Sequence, residues 1–335
     1  MKDYNKFKIM FKNRKIHNKT INDIVSELSV ENLEKKEVED ILNIVLSLKD
    51  KTDQDVECLF SKFNNVNIYN FSLPLYLLVN NKDYCFNLSS EQIVSILEKS
   101  DLCIKDNSGS YEGYTLPMVL LRWNKDFGLN LSPCQIMSVL EKADLSIQNK
   151  SGFTAVMYLL NNNKSQHLNL LPGQIMSVLE KVNLSVQNCN GWTTPMHLLL
   201  NNKFQSLNLS PWQIMSVLEK SDLSIQNSDG WTLSMNLLLN NKSQNLNLSL
   251  EQIVSIIERS DVSLLSNLGV TLFFNELKNN FGLANKRIYR VVDMFKNNVS
   301  DIDVENQKKI DQILLYYDVE KDLPKKDMFK DYIKL

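Results

Sequence analysis

Apolar and polar positions along the chain follow two nested periods. On the short scale, Ile214, Val217 and Leu218 fall at i, i+3 and i+4, a single apolar stripe that predicts an amphipathic helix. On the long scale, the string Gln135-Ile-Met-Ser-Val-Leu-Glu-Lys142 recurs at 174–181 and 213–220, with variants at 92–99 and 252–259. The leading glutamines, Gln92, Gln135, Gln174, Gln213 and Gln252, are 43 and then three times 39 residues apart. A sixth, decayed copy starts at Gln54, with Val56, Leu59 and Phe60 in the apolar slots. Periods of this length mark repeat architectures, in which each unit buries its apolar face against its neighbours.

Each unit has a polar turn (222–230), a short apolar helix (232–239) ending in Asn240-Asn241, a linking segment such as 203–209, and the amphipathic helix. Ser210 is a good N-cap, and Pro211 occupies the first helical position, where its missing N–H costs nothing. Gln213 can reach back to the cap N–H and complete a capping box. Ser89/Gln92, Ser132/Gln135 and Ser249/Gln252 repeat the arrangement, whereas Leu171 replaces the Ser and predicts a weaker start. The repeated Gln is therefore read as structural. Met235, Leu237, Leu238 and Leu239 make the other helix apolar on most sides, which suits an inner helix. The paired asparagines at 80/81, 162/163, 201/202 and 240/241 are expected to stop this helix in the left-handed conformation.

The polar turns carry a resemblance. Asn149-Lys-Ser-Gly152-Phe-Thr154-Ala-Val-Met-Tyr158 and Asn188-Cys-Asn-Gly191-Trp-Thr193-Thr-Pro-Met-His197 resemble the start of an ankyrin repeat, with its Gly-x-Thr-Pro-Leu-His pattern. Gly152/Thr154, Gly191/Thr193, Gly230/Thr232 and Gly269/Thr271 keep the Gly-x-Thr core: Gly allows the tight turn and Thr caps the next helix. The first copy has Asn70 in the Gly slot, and the second carries an insertion, 108–113, before Tyr114-Thr115. The likeness covers about residues 55–295. The period departs from the ankyrin 33, and Leu159, Leu198 and Leu237 stand where ankyrin helices carry Ala. The resemblance implies an all-α, ankyrin-like helical-hairpin solenoid with polar turns between repeats and helical caps at both ends. A divergent helical-hairpin solenoid of another kind is the alternative.

The expected organisation is an N-terminal helical cap with a basic leader (1–50), about six repeats (51–295) and a C-terminal helical cap and tail (296–335). The copies fall near 63–100, 101–143, 144–182, 183–221, 222–260 and 261–295. Apolar spacing predicts cap helices over 20–48, Ile288 to Phe295 and Val304 to Tyr317. Seven Lys and Arg oppose only Asp3 in residues 1–19, which reads as a solvated, partly frayed terminus; a weak membrane-surface helix is the alternative. The segment lacks the continuous apolar core of a signal peptide, and no apolar run is long enough for a membrane helix.

Composition sharpens this picture at three points. The 41 Asn against 3 Ala follow from cap and turn chemistry multiplied by an array, helped by a codon bias toward A and T. A net charge of -2 offers no whole-chain basic field, so no nucleic-acid partner is expected. Five cysteines (58, 85, 103, 134, 189) without CxxC spacing and three scattered histidines (17, 167, 197) predict no zinc site and no disulfide framework, and fit a reducing cytoplasm.

No nucleophile elbow, phosphate loop or metalloprotease motif is present. Cys189 and His197 could suggest a nucleophile and base, but His197 falls close to the ankyrin His slot. The sequence calls for no catalytic residue, cofactor or metal. The candidate partner-binding residues lie between Gly and Thr in each turn: Phe71, Tyr114, Phe153, Trp192 and Trp231, with Val270 in the last copy. They form either a buried stacking ladder that fastens the turns or an exposed aromatic stripe for a partner. The resemblance implies a scaffold that binds a partner protein; with no catalytic constellation in the sequence, a non-enzymatic monomer is expected. Ankyrin-like proteins of this residue usage are common in intracellular bacteria and large viruses, where many act on host proteins; a secreted effector is the subclass this implies. Two alternatives stay open: repeats that recruit substrate for an activity in the terminal helices, and a basic N-terminus that docks on an acidic membrane or nucleic acid.

Overall fold

The computed structural model describes residues 2–14, 19–66, 68, 71–106, 111–279 and 286–319. All regular structure among them is helical, apart from isolated antiparallel bridges in the turns. The chain forms two compact units, Met1–Leu170 and Leu171–Leu335.

The first unit contains α1 (Lys2–Lys12), α2 (Ile21–Ser26), α3 (Lys35–Leu46), α4 (Asp53–Phe63), α5 (Leu73–Asn80), α6 (Ser90–Glu98), α7 (Leu116–Trp123), α8 (Pro133–Lys142) and α9 (Ala155–Asn162). Like helices of successive copies pack on one another: α5 on α7 and α7 on α9, α4 on α6 and α6 on α8. The burial pattern follows the two sequence patterns. In α7 six consecutive residues, Leu116 to Leu121, are buried, whereas α8 buries only Ile136, Val139 and Leu140. The decayed copy at α4 buries Val56, Leu59 and Phe60 as its spacing predicts.

The second unit contains α10 (Pro172–Leu179), α11 (Thr194–Asn201), α12 (Pro211–Glu219), α13 (Leu233–Ser243), α14 (Leu250–Arg259), α15 (Asn267–Asn279), α16 (Lys286–Asn298) and α17 (Val304–Val319). Here α11 packs on α13, α13 on α15 and α15 on α17, while α12 packs on α14 and α14 on α16. Leu198 and Leu237 are fully buried. The tail beyond Leu323 lies outside the described residues.

The capping boxes form. The Ser210 N–H donates to Gln213 Oε1 at 2.9 Å and the Gln213 N–H to Ser210 Oγ at 3.4 Å; Ser89/Gln92, Ser132/Gln135 and Ser249/Gln252 do the same. At Leu171 only the Gln174 half exists, because Leu offers no acceptor.

The paired asparagines do something other than expected. Asn81, Asn163 and Asn202 keep right-handed φ values of -54°, -52° and -53°. The left-handed residues come later, at Asn87, Asn130, Asn169, Asn208 and Asn247, and two positions before each of them. The second Asn of each pair is instead a buried hub. Asn202 Oδ1 accepts the Leu209 N–H at 2.9 Å, and its Nδ2 donates to the Gln244 and Asn245 carbonyls in the next copy's loop, at 3.3 and 3.4 Å. Asn81, Asn124, Asn163 and Asn241 hold Leu88, Leu131, Leu170 and Leu248 in the same way. The reason is hydrogen-bond accounting: the loop runs through buried ground (Leu207 and Leu209), and its backbone needs partners that water cannot supply.

Two further expectations are corrected. Lys2–Lys12 is a packed helix rather than a solvated end: α1 packs on α2, Phe7 is fully buried against Phe11, and the Tyr4 hydroxyl donates to Asp40 Oδ2 at 2.6 Å. In the last copy, Gly269 and Thr271 sit inside α15 rather than in a turn. Thr271 Oγ1 bonds back to the Asn267 carbonyl, and Val270 is a fully buried helix residue.

Replacing Asn202 by Leu strands the Leu209 N–H and two carbonyls, and should cost about 3 kcal/mol in urea denaturation. Asn208→Gly, at an exposed residue with φ +51°, should change stability by less than about 0.5 kcal/mol.

Candidate functional site

Every regular turn is built on one acceptor. Asn188 Oδ1 takes the N–H groups of Asn190 and Trp192, both at 3.0 Å, while the Asn188 N–H donates to the Trp192 carbonyl at 3.0 Å. Asn149 and Asn227 repeat this with Ser151/Phe153 and Asp229/Trp231. In the second copy the slot is Asp106, whose carboxylate accepts the Ser72 N–H at 3.1 Å. Antiparallel bridges Gln148–Thr154, Gln187–Thr193 and Gln226–Thr232 close the hairpins. Thr154 and Thr232 cap their helices through Oγ1, at 3.3 and 3.2 Å from the Met157 and Met235 N–H groups; Thr115 and Thr193 occupy the cap position without that bond.

The glycines satisfy two demands together. Gly113, Gly152, Gly191 and Gly230 have φ between +73° and +81°. A Cβ on Gly191 would also stand 2.7 Å from Asn227 Cα in the neighbouring turn, and one on Gly113 would stand 2.7 Å from the Lys150 nitrogen. Gly230 meets nothing within 4 Å, because the copy that follows has helix where the others have a turn. Adjacent turns are tied by Ser228 N–H to the Asn190 carbonyl at 2.9 Å and by Gln187 Nε2 to the Gln226 carbonyl at 3.0 Å. Asn70 and residues 108–110 of the insertion lie outside the described residues.

The rings between Gly and Thr are neither bare nor entombed. Phe71, Phe153, Trp192 and Trp231 are half-buried, and Tyr114 is buried at 7% exposure. In the second unit Trp192 lies over the His197 imidazole, centroids 5.8 Å apart. His197 is itself buried, and burial pushes its pKa down to about 4. Asn188 Nδ2 lies 3.5 Å from its Nε2, which accepts when the neutral ring carries its proton on Nδ1. Cys189 is exposed on the turn.

In the first unit the rings join a larger cluster. Phe71 meets Tyr111 edge-on at 5.7 Å; Tyr111 meets Trp123 at 5.3 Å; Tyr114 stacks on Tyr158 at 5.6 Å, and Phe153 on Tyr158 at 5.2 Å. The Arg122 guanidinium sits 4.5 Å over the Trp123 ring and donates to the hydroxyls of Tyr114 and Tyr158, the latter at 3.1 Å. Asn149 Nδ2 donates to the Tyr158 hydroxyl at 2.9 Å. Burial, with the Tyr114 hydrogen bond second, raises the Tyr158 phenol well above its ordinary value. Arg122, Ser151, Phe153, Tyr158, Asn161 and Asn162 line an open cleft of about 370 Å³. A second hollow of about 210 Å³ between α4 and α6 has its cation engaged, Lys99 Nζ standing 2.8 Å from Glu57 Oε1.

Phe71, Tyr114 and Phe153 thus share one network in the first unit, and Trp192 and Trp231 occupy equivalent turns in the second. Arg122, Trp123, Tyr111 and Tyr158 are the members that sequence reasoning missed. One signal was available: Arg122-Trp123 stands where other copies read Val79-Asn80, Leu200-Asn201 and Leu239-Asn240. No known protein-family profile matches the chain, and no curated protein matches its sequence. No helix among the described residues is long and apolar enough to cross a membrane.

Gly191→Ala should destabilise the protein by about 2 kcal/mol or more, since it adds a backbone clash to the positive-φ cost. Gly230→Ala meets no clash and should cost about 1 kcal/mol; thermal denaturation of the two variants compares them.

His197 sets a pH dependence. Its folded pKa, about 4, lies below the ordinary 6.5, so only the unfolded chain takes up the proton between those values. The His197 contribution is therefore intact above pH 6.5 and is lost as pH falls toward 4. Wild type should lose about 2 kcal/mol from this residue by pH 4.5, and His197→Leu should show a flatter stability profile across that window.

Proposed function

We propose that the chain is a non-enzymatic, ankyrin-like solenoid that binds a partner protein along its turn face, with Phe71, Tyr114, Phe153, Trp192 and Trp231 at or beside the contact. The observation that carries this reading is the turn geometry. The hairpins at Asn149, Asn188 and Asn227, each fixed by its Asn hub and a left-handed glycine, hold Phe153, Trp192 and Trp231 half-buried. Half-burial fits both roles weighed for the rings: one face fastens the turn and the other offers apolar area to a partner. Aromatic side chains held in place by packing are the type that dominates binding hot spots, because little entropy is lost when they are covered. The packing of like helices within each unit supports the solenoid, and the polar inter-copy ties explain how its turns keep register.

The test is affinity capture from the native cell or its host with wild type and a Trp192→Ala/Trp231→Ala variant, folding being checked by circular dichroism. The folded double variant should lose at least one partner that wild type retains. Retention of every partner by the folded variant would remove the second unit's rings from the binding surface.

A further inference from the structure

The cleft beside α7 and α9 departs from the rest of the array in its chemistry. Arg122 is half-buried and forms no salt bridge among the described residues; its partners are two tyrosine hydroxyls and the Trp123 ring. Those contacts orient the guanidinium but leave its positive charge uncompensated. Glu112, on the turn before α7, is engaged with Lys150 Nζ at 2.6 Å. Asn162 adds a second anomaly. Its counterparts Asn80, Asn201 and Asn240 each donate back to the carbonyl four residues earlier, at 2.8, 3.0 and 2.9 Å. Asn162 makes no such bond, so among the described residues its amide and the Ser151 hydroxyl line the cleft without a side-chain hydrogen bond of their own. Phe153 and Tyr158 supply apolar wall.

We infer that this cleft receives an acidic peptide segment of the partner, with one Asp or Glu carboxylate on Arg122 and an adjacent apolar side chain against Phe153 and Tyr158. The inference rests on the protein-binding reading above and adds to it the site and the chemistry of the recognised segment. Charge complementarity selects the occupant. A single guanidinium flanked by neutral donors matches one carboxylate. A phosphate carries close to two charges and is met by clusters of Arg, whereas among the described residues Arg122 is the only cation lining this cleft. The guanidinium is already oriented by Tyr114, Tyr158 and Trp123, so its rotamer entropy is spent before binding. The cleft volume lies within the range of sites that bury a few side chains.

The probe is a library of random linear peptides displayed on phage and panned against the full chain, followed by titration of synthetic hits. The expected hits carry Asp or Glu beside an aromatic or large aliphatic residue. Changing that acid to its amide should weaken binding to wild type about tenfold or more, and should have little further effect on the Arg122→Gln protein. Asn162→Ala and Ser151→Ala, at a half-buried and an exposed position, read the same surface if Arg122→Gln fails to fold; each should weaken binding about threefold. Hits without acidic residues, no hits at all, or acid and amide peptides that bind all variants alike would overturn the assignment. The two readings fail separately. If the Trp192→Ala/Trp231→Ala variant loses its captured partner while Arg122→Gln keeps it, protein binding stands and the acidic cleft falls.

Discussion

The array depends on a buried asparagine. A helix that is apolar on most sides can be enclosed, but the chain leaving it must still cross buried ground to reach the outer helix. Its peptide groups there have no water to bond with, and leaving them unpaired costs as much as several apolar contacts contribute. Asn81, Asn124, Asn163, Asn202 and Asn241 answer this by offering one acceptor to their own loop through Oδ1. Their amide nitrogens then bind loop carbonyls, which for Asn81, Asn124 and Asn202 belong to the next copy. One side chain thus serves both the fold of a unit and its junction with a neighbour. Leu cannot do this, and Gln would place the same amide one methylene too far out.

The polar turns apply the same logic at the other end of the helix. Asn149, Asn188 and Asn227 mimic a strand partner for their own hairpins, and glycine at positive φ lets successive turns come within van der Waals distance. The aromatic residue next to that glycine is then held half in and half out. Trp192 covers His197, so the imidazole stays neutral beneath it. Phe153 covers Tyr158 in the equivalent place, and the hydroxyl reaches Asn149, Tyr114 and Arg122. The same slot therefore carries a closed contact in one copy and an open, charged cleft in another.

Much of this was legible in the chain. The repeat, the two helix types, the capping boxes and the terminal helices follow from local spacing, since caps and amphipathic stripes are decided within a few residues. The positions of the turn aromatics were legible for the same reason. Their exposure was not, because half-burial depends on the following helix and on the neighbouring turn. The last copy shows the limit most plainly. Gly269-Val270-Thr271 has the letters of a turn but lies in α15, with Val270 buried and Thr271 bonded along the helix. Ser266, three residues before Gly269, stands where Asn149, Asn188 and Asn227 supply the hub in other turns.

The sequence by itself determined the period, the alternation of two helix types and the residues that cap their starts, because those are short-range properties of backbone and side chain. Tertiary structure alone decided what the paired asparagines do and where the basic N-terminal helix sits. It also brought Arg122, Trp123, Tyr111 and Tyr158 together. These outcomes join residues tens of positions apart, such as Tyr4 with Asp40 and Tyr114 with Tyr158. The partners become known only when the chain has been packed, since burial decides which polar groups must find one another.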